Sequence, residues 1–279
     1  ESLTSIDGEA FRGCTSLEIE DLQLPNLESL GQNAFYGVKI KKISNLGKLT
    51  TLPTASSSTQ NFGDKSTLEE VVLPETLTSI PSYSFYNYSS LKYCEVPNNC
   101  LMIENQAFMR CESLQTVGDL SNITSIGDEA FRYCSKLKQK LILPNVITIK
   151  QRAFADCGVV SVIAPNVTTI GQDCFAKSTS LTTLLIGDKV TSISSSLCNG
   201  CSSLQALICI ATTPPSIGNN IIAGAPNAYI YVPDASVEAY KGATNWSSFA
   251  SRIKGISELP LDNPTLYDEI KDYLGGGSD

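Results

Sequence analysis

Apolar positions recur along the chain in blocks of about 23 residues, and every block keeps the same internal order. Each opens on an aliphatic residue behind Ser or Thr, as in Ser5-Ile6, Ser29-Leu30, Ser79-Ile80, Ser125-Ile126, Thr148-Ile149, Thr169-Ile170 and Ser192-Ile193. Met102-Ile103 is the variant. Five positions after the aliphatic comes Phe: Phe11, Phe35, Phe85, Phe108, Phe131, Phe154 and Phe175. Phe62 keeps the series but follows its aliphatic, Leu52, by ten residues, and Cys198 takes the next turn. Eight of the nine phenylalanines occupy this one slot, which chance spacing does not produce.

A second apolar segment follows each Phe. Leu68-Glu69-Glu70-Val71-Val72-Leu73-Pro74 is its clearest copy, and 91–97, 137–144, 181–187 and 204–210 repeat it. Its last positions alternate with the two-residue period of a strand that buries one face, and Pro ends it because Pro cannot donate to a ladder. The spacing therefore predicts coils that each hold a longer strand, a short Thr- or Ser-led strand and a turn carrying Phe. One such unit cannot bury its own apolar face. Stacked units can, each adding a rung of parallel sheet at about 4.8 Å, so that nine make a rod of roughly 45 Å around a phenylalanine column. The extra Ser- and Thr-rich residues at 54–61 predict a loop bulging from one turn.

The periodicity fades after Ile210. Residues 211–215 break it, 228–233 read as a final strand, and Asp234 is placed to cap a short helix over 235–240. Tyr229, Tyr231, Tyr240, Trp246 and Phe249 supply the apolar cover that an open solenoid end requires. The division expected is repeats over 1–210, a cap over 211–256 and an acidic tail over 257–279. Within the tail, Asn263-Pro264 predicts a helix start, with Leu266, Ile270 and Tyr273 on one face.

The fuller motif, I-x-x-x-A-F-x-x-C-x-x-L-x-x-V-x-L-P, resembles the BspA-type subfamily of bacterial surface leucine-rich repeats. The likeness spans about 1–210. It implies a right-handed leucine-rich-repeat solenoid, α/β in class, with a parallel sheet on one face and turns or short segments on the other. It also implies a secreted or cell-surface protein with an adhesive role, its partner a protein of the host extracellular matrix or of a bacterial surface. The Asn or Cys ladder that follows the strand in other leucine-rich repeats is not evident.

Composition narrows the function further. The 279 residues carry a net charge of -8 and no histidine, which excludes Ser-His-Asp or Cys-His catalysis and histidine-bound metal. The acidic balance argues against nucleic acid and anionic membrane as partners. Lys39, Lys41 and Lys42 form a small basic group that reads as a solvated edge. The chain begins without Met and inside a repeat, as a piece of a longer product would. No cofactor, metal or catalytic residue is expected, and no membrane insertion.

The ten cysteines fall on slots that the pattern makes inward-facing, Cys111, Cys134 and Cys157 three residues past Phe. All ten are expected to be buried, unbridged and structural. Candidate contact residues come instead from the outward strand positions. On successive strands these read Val72, Glu95, Gly118, Ile142, Ile163, Leu185 and Ile208. Four neighbouring aliphatics, Ile142, Ile163, Leu185 and Ile208, form either an exposed contact stripe or a face covered by the tail or a second copy. Tyr93 adds an outward aromatic beside Glu95. Protein binding leads the functional expectation; a spacer holding another domain off the cell is the alternative, and glycan binding comes third.

Overall fold

The computed structural model describes residues 3–260 and 270–273. The chain winds into a solenoid whose coils have three sides. On one side run the longer strands: Glu18–Gln23, Lys39–Asn45, Glu70–Val72 and Tyr93–Glu95 in a four-stranded sheet, then Lys140–Ile142, Ser161–Ala164, Thr183–Ile186, Ala206–Cys209, Tyr229–Val232 and Ile253–Gly255 in a six-stranded one. A second side carries the two-residue strands, from Ser79–Ile80 to Ser216–Ile217, in a seven-stranded ribbon, with Ser5–Ile6 and Ser29–Leu30 paired before it. Every pairing is parallel and joins residues one coil apart, such as Val71 with Cys94 and Ile149 with Ile170. Burial follows the alternation read from the sequence: Val71 and Leu73 are inside, with Glu70 and Val72 half-exposed between them.

The third side is the phenylalanine turn, and it has a ladder of its own. In the coil of Phe108, three amides, those of Gln106, Phe108 and Arg110, each donate at 2.8 Å to the next coil, to Asp128, Ala130 and Arg132. The bonds can run parallel to the axis because the residues two before and two after Phe sit in the left-handed region. Gln106 and Arg110 have φ of 56° and 64°, and the same two positions repeat as Glu129 and Tyr133, Arg152 and Asp156, Asp173 and Lys177. Between these flanks the rings stack almost parallel from Phe62 to Phe175, centroids 5.2 to 5.4 Å apart. Phe11 and Phe35 form a separate pair at 5.4 Å.

Residues 54–61 lie between those two runs, and the expected bulge is folded inward at its end. Asn61 is buried, its amide nitrogen donating to the carbonyls of Pro53 and Thr54, while its Oδ1 accepts the Asn33 N–H at 2.8 Å. Gln60 Oε1 accepts from Gly37 N. Side-chain oxygens thus stand where the neighbouring coils use backbone carbonyls.

The longer-strand face is interrupted once, at the coil of residues 114–123. There a single bridge, Tyr93 with Thr116, is the only strand pairing. Leu120 follows Val117 by three residues where other copies keep two, and Leu141 follows Leu137 by four where others keep three. Gly118 absorbs the first irregularity at φ 71°. The Gln139 side chain spans the second: its Oε1 accepts from Val117 N at 3.1 Å and its Nε2 donates to Gly118 O at 2.8 Å. One carboxamide does there what a strand's peptide group does elsewhere.

Beyond residue 210 the parallel ladder goes on. Ile217 and Ile222 occupy the aliphatic and Phe slots, and Asn220 (φ 60°) and Gly224 (φ 73°) flank the latter as in the earlier coils. The end is closed by a 3-10 turn at Asp234–Ser236, a helix at Val237–Gly242 and a 3-10 segment at Trp246–Arg252. Tyr240 and Trp246 are fully buried edge to face, 4.8 Å apart. Their polar atoms reach carbonyls left open by the last coil, Tyr240 Oη that of Ala211 at 2.8 Å and Trp246 Nε1 that of Pro215 at 2.7 Å. Asp234 does not cap the helix: its carboxylate accepts from Ser257 N and Oγ.

Candidate binding surfaces

The outward face of the longer strands divides into two halves of opposite character. Its first rungs are charged, and the signs alternate from coil to coil: Glu18 pairs with Lys39 at 2.7 Å, Lys42 with Glu70 at 2.9 Å and Glu69 with Lys92 at 2.7 Å. The Lys39, Lys41 and Lys42 group is therefore neutralised by facing carboxylates, Glu20 taking Lys41. Hydrogen bonding and charge from Lys39 and Lys92 hold the Glu18 and Glu69 carboxyls below their usual range. Tyr93 and Glu95 stand half-buried at the end of this half, with Glu95 over Gly118.

The second half is apolar, and the aliphatic stripe expected on it is only partly open. Ile142 is 48% exposed, whereas Ile163, Leu185 and Ile208 are buried. They form a second core with Ala206, Tyr231, Leu259 and Ile270, against which Ile256 and Tyr273 also pack. Of the two alternatives left open by the sequence, these three residues show the covered face. The C-terminal segment covers them, because four adjacent rungs without a polar outward residue leave an apolar face that water solvates poorly. The predicted tail helix start and Leu266 lie outside the described residues.

A third surface was not legible as a site. Where the chain leaves the longer strand for the short one, the coils of residues 75–147 form an open groove of about 990 Å³. Asn99, Asn122 and Asn145 line it, each donating its amide to the carbonyl one coil back, those of Glu75, Asn98 and Ser121 at 2.7, 3.0 and 2.9 Å. Asn166 adds a fourth such bond, to Pro144. These asparagines make a ladder of their own, on the solvent side of this corner. Beside it run Thr78, Leu101, Thr124 and Ile147.

The cysteines have a packing role with a polar component. All are unbridged, and nine are buried. Cys14 is the correction, exposed together with Phe11 on the first coil, where the described residues place no coil in front of it. In the coils behind, the thiols of Cys111, Cys134 and Cys201 donate to the carbonyls of Phe85, Phe108 and Phe175 at 3.0, 3.1 and 2.9 Å. Ser178 fills the same slot and donates to Phe154. Burial pushes eight of the thiols upward, Cys100 to about 11 and Cys157 to about 12, and Cys94, Cys134 and Cys198 well above their ordinary value. Such thiols are neither nucleophiles nor ready metal ligands at neutral pH. Among the described residues no cluster of Cys, Asp or Glu could hold a metal ion.

Three-sided coils, two parallel ladders and a sheet face define a leucine-rich-repeat solenoid. More narrowly, the chain belongs to the BspA-type leucine-rich-repeat family, whose profile matches residues 1–115, 56–182 and 125–243 in six copies. No curated protein matches the chain significantly. Among solved structures, a leucine-rich-repeat protein from Bacteroides ovatus is 20% identical, with a TM-score of 0.54 over 91% of this chain and 76% of its own. The T. pallidum leucine-rich-repeat protein is 23% identical, with a TM-score of 0.53 over 65% of this chain and 86% of its own. Both likenesses establish the fold.

Proposed function

We propose that the chain is a non-enzymatic protein of the cell surface or the extracellular space that binds a protein partner on the outward face of its longer strands. The observation that carries this reading is the two-part face itself. Its first half is open and fixed in place by charged rungs, and it ends in Tyr93 and Glu95, while the exposed Ile142 opens the second half across the interrupted coil. Aromatic, charged and aliphatic groups on one face of a rigid solenoid suit a protein surface. Membership of the BspA-type family favours host extracellular-matrix proteins or bacterial surface proteins as partners. The buried, unbridged thiols need no reducing compartment, which is compatible with an extracellular setting. Among the described residues no helix is long and apolar enough to cross a membrane.

A panel of extracellular-matrix proteins on a biosensor tests this, with Tyr93→Ala and Ile142→Glu as variants. The expected result is saturable binding to at least one member, weakened ten-fold or more by either substitution. Binding that neither variant changes would place the contact elsewhere. A second reading, a spacer, is favoured by the continuous main core that runs from Ile6 to Ile253; absence of binding to any surface protein would leave it ahead.

A further inference from the structure

The corner groove lies on a different side of each coil from the sheet face, and we infer that it is a site for a neutral linear oligosaccharide laid along the solenoid axis. Its chemistry is set by which polar atoms are already used. The amide nitrogens of Asn99, Asn122 and Asn145 are committed to the carbonyls one coil back. Thr124 Oγ1 is likewise committed to Leu101 O at 3.0 Å, and Thr76 Oγ1 to Leu49 O. What remains toward solvent is a row of three amide oxygens, one per coil, with no hydrogen-bond partner among the described residues, together with the Thr78 hydroxyl and the Asn98 carboxamide on the first two coils.

A row of acceptors with its donors spent selects a ligand rich in donors. An extended peptide fits less well, because the groove offers its carbonyls only the Asn98 carboxamide and the Thr78 hydroxyl, both on the first two coils, and carbonyls farther along would lose part of their hydration. Sugar hydroxyls fit well, since each donates to an amide oxygen and keeps its own lone pairs toward water. Glu75 is the only ionisable residue in the lining, and its carboxylate already accepts from Asn98 N, so the groove offers nothing to a phosphate or sulfate. Between the polar rows, Leu101 and Ile147 are 47% and 43% exposed, two coils apart, and present apolar patches to the C–H faces of sugar rings. The groove is shallow and crosses four coils, a shape for a chain rather than for a small molecule. Because the coils repeat at about 4.8 Å, a polymer of similar repeat meets the same acceptor at each step.

The experiment uses the full chain with cellohexaose, mannohexaose and chitohexaose as probes, each with its disaccharide, read by isothermal titration and by perturbation of asparagine side-chain NMR signals. At least one hexaose is expected to bind, ten-fold or more tighter than its disaccharide, and to shift the amides of Asn99, Asn122 and Asn145. Leu101→Glu and Ile147→Glu, both at exposed positions that leave the core intact, are each expected to weaken it at least ten-fold. Tyr93→Ala, on the sheet face, is expected to leave it unchanged, so that this site and the protein-binding face stand or fall separately. No binding by any hexaose, equal affinity for the disaccharide, or indifference to both glutamate variants would overturn the assignment.

Discussion

Two residues per coil, on either side of the ring, bear the conformational cost of the phenylalanine turn. A left-handed backbone costs an L-residue about 1–2 kcal/mol relative to glycine. Gly13, Gly37, Gly200 and Gly224 meet this at the position two past the ring, where Arg110, Tyr133 and Lys177 carry the same φ with a side chain. Lys177→Gly is therefore expected to raise stability by up to about 1 kcal/mol. Gly13→Ala is expected to lower it by about 1 kcal/mol, through backbone strain alone, since an added Cβ there meets nothing within 4 Å. Urea midpoints for the two variants check both signs. The ring column itself was legible, because Phe at a fixed period has one economical explanation. The left-handed flanks were not, because Tyr83, Gln106 and Arg152 have no preference for that region; only the glycines and Asn33, Asn87 and Asn220 hint at it. Cys14 shows the converse: its slot is inward by pattern, yet it is exposed, with no coil in front of it among the described residues.

At the scale of strands and turns, period was easy to read and interruption was not. Of the 217–233 coil only the strand at 228–233 is legible, because Ile222 replaces the ring that marks the others, while Ile230 and Val232 before Pro233 keep the strand motif. The asparagine ladder lay hidden because its members fall at slightly shifted places after the strand. The sheet break was not legible, since two one-residue irregularities in successive coils leave no net change in the Phe spacing. Gln139→Leu should strand the Val117 N–H and the Gly118 carbonyl, at about 1–3 kcal/mol for each group left buried and unpaired. Hydrogen exchange should quicken at Val117 while Phe154 keeps its protection; unchanged exchange at Val117 would show that the bridge is dispensable. The covered stripe makes a separate prediction. Removing residues 257–279 takes away Leu259 and Ile270 and should open Ile163, Leu185 and Ile208, so binding of a hydrophobic dye should rise. Unchanged dye binding would mean that the segment does not shield the face.

Across the whole molecule, the stacked thiols make stability depend on alkali. Eight buried cysteines, among them Cys94, Cys134 and Cys198, have thiols raised above the ordinary value of 9.0 by burial. Below pH 9 both folded and unfolded chains keep these protons, and the contribution is fully present. Above it the unfolded chain releases them first, so stability falls as pH rises toward the folded values, about 11 for Cys100 and about 12 for Cys157. Each thiol ionised only in the unfolded chain removes about 1.4 kcal/mol per pH unit. Under reductant, the urea midpoint is expected to stay level from pH 6 to 8 and to drop steeply above about 9; a level profile to pH 11 would contradict the burial of the column. The single bridge and one glutamine at the sheet break have another consequence. Under tension applied to its two ends, the longer-strand face should open first at that joint, while the ring stack and the turn ladder of Gln106, Phe108 and Arg110 still hold the two blocks together.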